Sequence, residues 1–245
     1  MRRQVKQHLP NAITCANLFS GCIGIVFTFQ DKLVFASYAI FLAAIFDFFD
    51  GFASRVLKSQ SCIGKDLDSL ADMVSFGVLP SAIMYELLLS APQIPYVSVY
   101  LNFVEFLIPV FSALRLAKFN TDTRQAESFI GLPTPANAIL IASIPLILVQ
   151  YESISRYVLN PYGLSAFIVV MCTLLVAEIP LMSLKFKNRD FNKNFYRYLL
   201  LLFSAILILF FKFAAVPVVI VMYITLSLIQ LKFANEGIHE QLSKK

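Results

Sequence analysis

The stretch DFFDGFASRVLKSQSCIGKDLDSLAD, residues 47–72, places five aspartates in a chain that is 58% hydrophobic and only 14% charged. Four of them, Asp47, Asp50, Asp68 and Asp72, lie on or against apolar runs. A carboxylate there is costly unless it is paired, protonated or bound to a cation.

The surrounding sequence sets the environment. The mean hydropathy over the 245 residues is +0.74, and ordinary soluble domains are only about 45–50% apolar. Here the apolar residues come in blocks, and roughly 20 in succession span a bilayer as a helix. Eight such segments follow one another, at about 11–29, 33–54, 69–90, 95–118, 135–151, 161–183, 197–211 and 215–231. The expected fold is all-α, a polytopic membrane helix bundle forming a single integral membrane domain. Lys212 and Pro217 mark the break between the last two segments, and six spans with a re-entrant end is the competing count. The basic start, MRRQVKQHLPN, runs into an apolar stretch with no small-residue cleavage site, so the first segment is expected to stay as a span. Cys15, Cys22, Cys62 and Cys172 are scattered without a C-x-x-C, and read as small buried apolar residues rather than a disulfide or zinc framework.

The net charge of +5 is mostly a topology signal. With the N-terminus in the cytoplasm and alternating spans, the inner loops and ends hold Arg2, Arg3, Lys6, Arg55, Lys58, Lys65, Arg115, Lys118 and Arg124 from the first half. They also hold Lys185, Lys187, Arg189, Lys193, Arg197, Lys232, Lys244 and Lys245. Only Lys32, Arg156 and Lys212 remain outside. The positive-inside rule therefore puts both termini in the cytoplasm, and no nucleic-acid partner is expected. The longest loops, 119–134 and 184–196, face the cytoplasm and are too short for a separate domain. With no tryptophan, tyrosines such as Tyr96, Tyr151, Tyr157 and Tyr162 must supply any aromatic belt.

In this topology the second span ends, and the third begins, at the cytoplasmic face. Asp47 and Asp50 are three apart, Asp68 and Asp72 four apart, so each pair shares a helix face. The short 55–67 connection makes the two helix ends neighbours, and four carboxylates converge. Their mutual repulsion calls for protons or divalent cations. All-oxygen ligands suit Mg²⁺, Mn²⁺ or Ca²⁺, and a pair of such ions is the usual clamp for displacement at phosphorus. Gly51 and Gly64 would let a backbone or flat ligand approach, although helix packing is the commoner reason for such glycines. Arg55 is placed to reach a phosphate, or to serve as an ordinary positive-inside anchor. The only histidines, His8 and His239, lie near the termini, so a base at this site is expected to be a carboxylate.

Written out, the pattern is Asp47-x-x-Asp50-Gly51-x-x-Ser54-Arg55, eight residues, then Gly64-x-x-x-Asp68-x-x-x-Asp72. It resembles the signature of the CDP-alcohol phosphatidyltransferases, D-x2-D-G-x2-A-R-x8-G-x3-D-x3-D, and differs only at Ser54, where the pattern has alanine. The resemblance implies that an alcohol hydroxyl attacks the β-phosphorus of a CDP-linked substrate and CMP leaves. It implies two Mg²⁺ or Mn²⁺ ions held by Asp47, Asp50 and Asp68, with Asp72 completing the second site and acting as the base. It also implies that Asp47, Gly51, Ser54, Arg55 and Gly64 bind CDP-diacylglycerol, the glycines and Ser54 lining the cytidine pocket and Arg55 holding the pyrophosphate side. The fold implied is a six-helix membrane core, dimeric, with its site open to the cytosol. The core is expected over 1–184, with a C-terminal helical pair and tail over 185–245.

A narrower resemblance, to bacterial membrane-embedded phosphatidylserine synthases, rests on LPNAITCANLFSG (9–21), DSLADMVSFGVLPS (68–81), ALRLAKFN (113–120) and FIGLPTPANA (129–138). Relatives that use glycerol 3-phosphate tend to carry lysine after the fourth aspartate, where this chain has Met73. L-Serine is thus the expected acceptor and the inner membrane the expected location. Inositol, choline or a glycerol phosphate are the alternatives, and a cation transporter the reading from another class. Arg115 and Asn120 are candidates for binding the acceptor or a phosphate, with a snorkelling anchor the competing reading of Arg115. Glu86, Glu105 and Glu178 are intramembrane acids with no assigned role, expected to face the bundle interior.

Overall fold

The computed structural model describes residues 2–57, 61–96, 98–122, 129–183 and 190–243. Of the basic positions used to orient the chain, Lys58, Arg124, Lys185, Lys187, Arg189, Lys244 and Lys245 lie outside the described residues.

α1 (Arg2–Thr28) and α2 (Leu33–Leu57) pack along each other, joined by a tight turn. α3 (Gly64–Asp72), a π-helical segment (Met73–Val78) and α4 (Leu79–Ser90) follow without a break. The wide turn has a local cause. Pro80 lacks the amide hydrogen that a regular helix would return to the Phe76 carbonyl, and its ring crowds that carbonyl. The Leu79 amide instead donates to the Val74 carbonyl, five residues back. Gly21 of α1 faces this segment, and a Cβ there would stand 3.0 Å from Ser75 Cα, so only glycine admits the close approach.

The fourth segment differs from its expected 95–118. A short α5 (Ser98–Leu101) and a 3-10 turn (Val104–Phe106) precede α6 (Leu107–Thr121). Pro92 and Pro95 interrupt the chain before it, and Pro109 is tolerated because it falls in the first turn of α6. α7 (Thr134–Gln150) matches expectation, and α8 (Ser155–Val158) bends away from it by 112°. α9 (Pro161–Val176) starts at an Asn160 cap that accepts from the Tyr162 and Gly163 amides. It stops short of residue 183, because Pro180 cannot continue a helix and the chain there is extended. Pro180–Leu181 pairs antiparallel with Phe129–Ile130.

α10 (Phe191–Phe211) and α11 (Ala215–Ser243) form one apolar stretch, within which Asn194–Lys232 counts 39 residues. Their bonds show that it folds back on itself. Arg197 Nε donates to the Ser183 carbonyl at 2.6 Å, and the Met182 amide to Ser227 Oγ at 3.1 Å. A straight helix would separate residues 197 and 227 by about 45 Å. The turn falls at Lys212, whose φ of +50° breaks the helix. The protein is an all-α polytopic membrane bundle with a six-helix core, made of α1, α2, the α3–α4 span, α6, α7 and α9, plus a C-terminal pair. Among the described residues, four stretches are long and apolar enough to cross a bilayer: His8–Thr28, Leu33–Leu57, Gly64–Ser90 and the folded-back Asn194–Lys232.

Ile40, Phe76, Ile83, Ile108, Ile141 and Ile168, from six different segments, close the main core. Leu140, Met171, Leu200 and Tyr223 seat the C-terminal pair against α7 and α9. One end of the bundle gathers the ends of α2, α3, α6, α7 and α9. The other carries Tyr96, Tyr157 and Tyr162, all exposed as an aromatic belt requires. Of the cysteines only Cys172 is buried, while Cys15, Cys22 and Cys62 are exposed. For those three the sequence expectation fails: on α1 an apolar face turned to lipid looks the same in sequence as one turned to the core, and Cys62 lies in the α2–α3 connection.

Candidate active site

The aspartates lie where α2 and α3 meet at one end of the bundle. Asp47, Asp50 and Asp68 each offer an oxygen, and the three oxygens lie within 4.8 Å of one another. Asp50 Oδ2 and Asp68 Oδ1 are buried and have no hydrogen-bond partner. A buried oxygen of this kind requires a proton or a cation. Three converging carboxylates, two of them with an unpartnered buried oxygen, fit a hard divalent ion such as Mg²⁺ or Mn²⁺.

Asp72 stands apart from that group of three. It is 8% exposed, on the last turn of α3, and its Oδ1 accepts from the Asn17 side chain at 3.2 Å. It nevertheless lies within electrostatic range of the other three aspartates and of Arg115. Asp66 is exposed and takes no part.

A cavity of about 330 Å³ opens beside the cluster. Asp50, Gly51, Ser54, Gly64, Lys65 and Asp68 line it, together with Pro10, Asn11 and Thr14 from α1 and Ser61 from the α2–α3 connection. A Cβ at Gly51 would meet nothing within 4 Å, so this glycine leaves open space rather than admitting a neighbouring helix. At Gly64 a Cβ would come within 2.8 Å of Ser61 Oγ. Ser61 Oγ in turn donates to Asn11 Oδ1 at 3.0 Å, which ties the connection to α1.

The other candidate residues sit around this centre. Ser54 Oγ and Arg55 Nε both donate to the Gly51 carbonyl, at 3.1 Å and 2.8 Å. Arg55 is exposed and follows the wall residue Ser54 without lining the cavity itself. Arg115 is buried, its Nε donates to the Leu132 carbonyl, and its Nη2 has no partner. Burial of this kind argues against a snorkelling role. Gly131, at φ +76°, turns the chain so that the Leu132 carbonyl faces Arg115. Asn120 is held by α3: its side chain donates to Ser69 Oγ at 2.7 Å, and its carbonyl accepts from Lys65 Nζ at 2.6 Å. Glu105 is fully buried, Glu86 partly, and Glu178 is exposed beside Arg115 in a small crevice.

Sequence reasoning missed the contribution of α1. Asn11, Thr14 and Asn17 recur every three residues and so lie along one side of an apolar helix. A polar stripe of that kind in a membrane span was the available signal.

A family model for CDP-alcohol phosphatidyltransferase matches residues 7–179. The chain belongs to this family. It is 31% identical over 207 residues to a CDP-diacylglycerol–serine O-phosphatidyltransferase of Helicobacter pylori, covering 81% of each chain. It is 32% identical over 188 residues to the Mycobacterium leprae protein of the same name, covering 74% of this chain but 60% of that one. An archaetidylserine synthase of Methanothermobacter thermautotrophicus is 34% identical over 140 residues, 56% of this chain and 58% of that one. The CDP-alcohol phosphatidyltransferase match takes in α1, the aspartate cluster, the cavity and the 129–138 loop, and stops before the C-terminal pair.

Proposed function

We propose that this CDP-alcohol phosphatidyltransferase moves a phosphatidyl group from CDP-diacylglycerol to the hydroxyl of L-serine, giving phosphatidylserine and CMP. The observation that carries the reading is the 330 Å³ cavity bordered by two aspartates of the cluster and by glycines on both helices. Support for serine comes from the relatives, whose names differ in the lipid and agree in the amino acid. Met73 after Asp72 speaks against a glycerol phosphate.

In this reading Gly51, Ser54 and Gly64 receive the cytidine, and Arg55, next to Ser54, meets the pyrophosphate. Asp47, Asp50 and Asp68 would hold divalent cations, and Asp72 would complete the site. When bound, such ions offset the charge of the phosphates. Arg115 offers its unpartnered Nη2 to the serine carboxylate. Asn120, bonded to Ser69 and to the cavity residue Lys65, steadies α3 rather than touching the acceptor. The serine oxygen attacks the β-phosphorus, Asp72 takes its proton, and the bond to CMP breaks with its electron pair on the CMP oxygen. Residues 1–184 carry this chemistry, and 185–245 support it. The aspartate end faces the cytoplasm of an inner membrane, because it holds Arg55, Lys65 and Lys118 while Lys32, Arg156 and Lys212 lie at the other end. The dimer remains part of this reading on the family resemblance alone.

The test is CMP release by purified protein given CDP-diacylglycerol, Mn²⁺ or Mg²⁺, and one acceptor at a time. Release with serine is expected. Release only with inositol, choline or glycerol 3-phosphate would overturn the serine reading, and none with any acceptor would overturn the transfer itself.

A further inference from the structure

Asn17 is fully buried on α1, and its side-chain amide donates to Asp72 Oδ1 at 3.2 Å. Its backbone carbonyl accepts the Ser75 hydroxyl at 3.0 Å. Ser75 belongs to the π-helical segment that begins directly after Asp72, so α1 grips the chain on both sides of the Asp72–Met73 junction. Gly21, one turn further along α1, lets the two backbones close up there. Asn17 is therefore fixed relative to Asp72 through both its side chain and its backbone.

Packing gives no reason for asparagine at this position. Its Oδ1 is buried with no hydrogen-bond partner. A half-satisfied buried amide costs stability that an apolar residue of similar volume would not. The one bond the side chain does make goes to the aspartate that stands apart from the cluster of three.

The geometry points to Asn17 as the positioning residue for Asp72 in phosphatidyl transfer. A carboxylate rotates freely about its Cβ–Cγ bond unless something holds one oxygen. The Asn17 donor occupies Oδ1 and so fixes the plane of the group. Oδ2 is left to meet the acceptor hydroxyl. The donor also keeps the Asp72 carboxylate from swinging fully toward Asp47, Asp50 and Asp68, so that one oxygen stays available to the acceptor hydroxyl. This rests on the base role of Asp72 in the reaction proposed above.

The test compares kcat, KM for CDP-diacylglycerol and melting temperature for Asn17→Ala, Asp72→Asn and the double variant in the full-length detergent-solubilised protein. Asn17→Ala is expected to lower kcat about 10–100-fold, with KM for CDP-diacylglycerol unchanged and a lower melting temperature, because Asp72 Oδ1 loses its buried donor. The double variant is expected to be no slower than Asp72→Asn alone, because residues acting as a unit are not additive. Should Asn17→Ala fail to fold, Asn17→Leu keeps the branched shape, with some added volume, lacks the donor and is expected to show the same loss of kcat. Additive losses, or near-normal kcat in the Asn17 variants while Asp72→Asn is inactive, would overturn the positioning role alone. Near-normal kcat in Asp72→Asn would overturn the base reading beneath it.

Discussion

Asp50 on α2 and Asp68 on α3 each keep one buried oxygen without a hydrogen-bond partner, and both belong to the cluster whose ligand atoms lie within 4.8 Å of one another. Two like charges held this way in a membrane protein weaken the fold unless a cation joins them. The arrangement is a site that folding alone would not select.

Asp50→Asn and Asp68→Asn are each expected to reduce CMP release to background. In wild type, Mn²⁺ is expected to raise the melting temperature, because a ligand that binds only the folded state stabilises it. Either variant is expected to lose that rise. Without metal, the variants should melt no lower than wild type, since each removes one repelling charge. A normal Mn²⁺-dependent rise in both variants would take these residues out of the metal site.

The two motif glycines are expected to behave differently. Gly51→Ala adds a methyl group into open space, and alanine in a helix is favoured over glycine by roughly 0.5–1 kcal/mol. Its melting temperature should hold or rise while KM for CDP-diacylglycerol increases. Gly64→Ala presses on Ser61 Oγ at 2.8 Å and should disturb the Ser61–Asn11 tie, lowering stability as well. Thermal melts and substrate titrations on both variants check this. An unchanged KM in Gly51→Ala would mean that the nucleotide lies elsewhere.

Much of this was legible in the sequence, and the parts that were not share a cause. The aspartate spacing located the cluster because a helix period converts three- and four-residue intervals into a shared face. The helical bundle was legible because bilayer thickness fixes the length of an apolar run, although α6 and α9 are shorter than the segments read for them. The π-helical turn was not, since it depends on Pro80 acting in a span already crowded by α1 at Gly21. The burial of Arg115 was not, since the partner of its Nε is a backbone carbonyl, at Leu132, that any residue would supply. Exposure of Cys15 and Cys22 was equally hidden, because lipid and protein core select the same side chains.

Arg115→Lys keeps the charge but loses the fork that bonds the Leu132 carbonyl. Leaving that buried carbonyl unpaired should cost about 1–3 kcal/mol, read as a lower melting temperature. KM for serine should rise while KM for CDP-diacylglycerol stays near wild type. Equal rises in both would place Arg115 on the phosphate side instead.

Ser54→Ala restores the residue of the family signature. The Ser54 hydroxyl donates only to the Gly51 carbonyl within its own helix, a bond that contributes little there. Stability should stay within about 0.5 kcal/mol of wild type, and kcat/KM should be unchanged. A marked loss of kcat/KM would mean that the hydroxyl reads the nucleotide directly.

The most direct measurement is the identity of the lipid formed from CDP-diacylglycerol and isotopically labelled L-serine by the purified protein with Mn²⁺. The predicted result is phosphatidylserine carrying the label, with one CMP released for each labelled lipid. CMP released without labelled lipid, or no CMP at all, would contradict phosphatidyl transfer to serine.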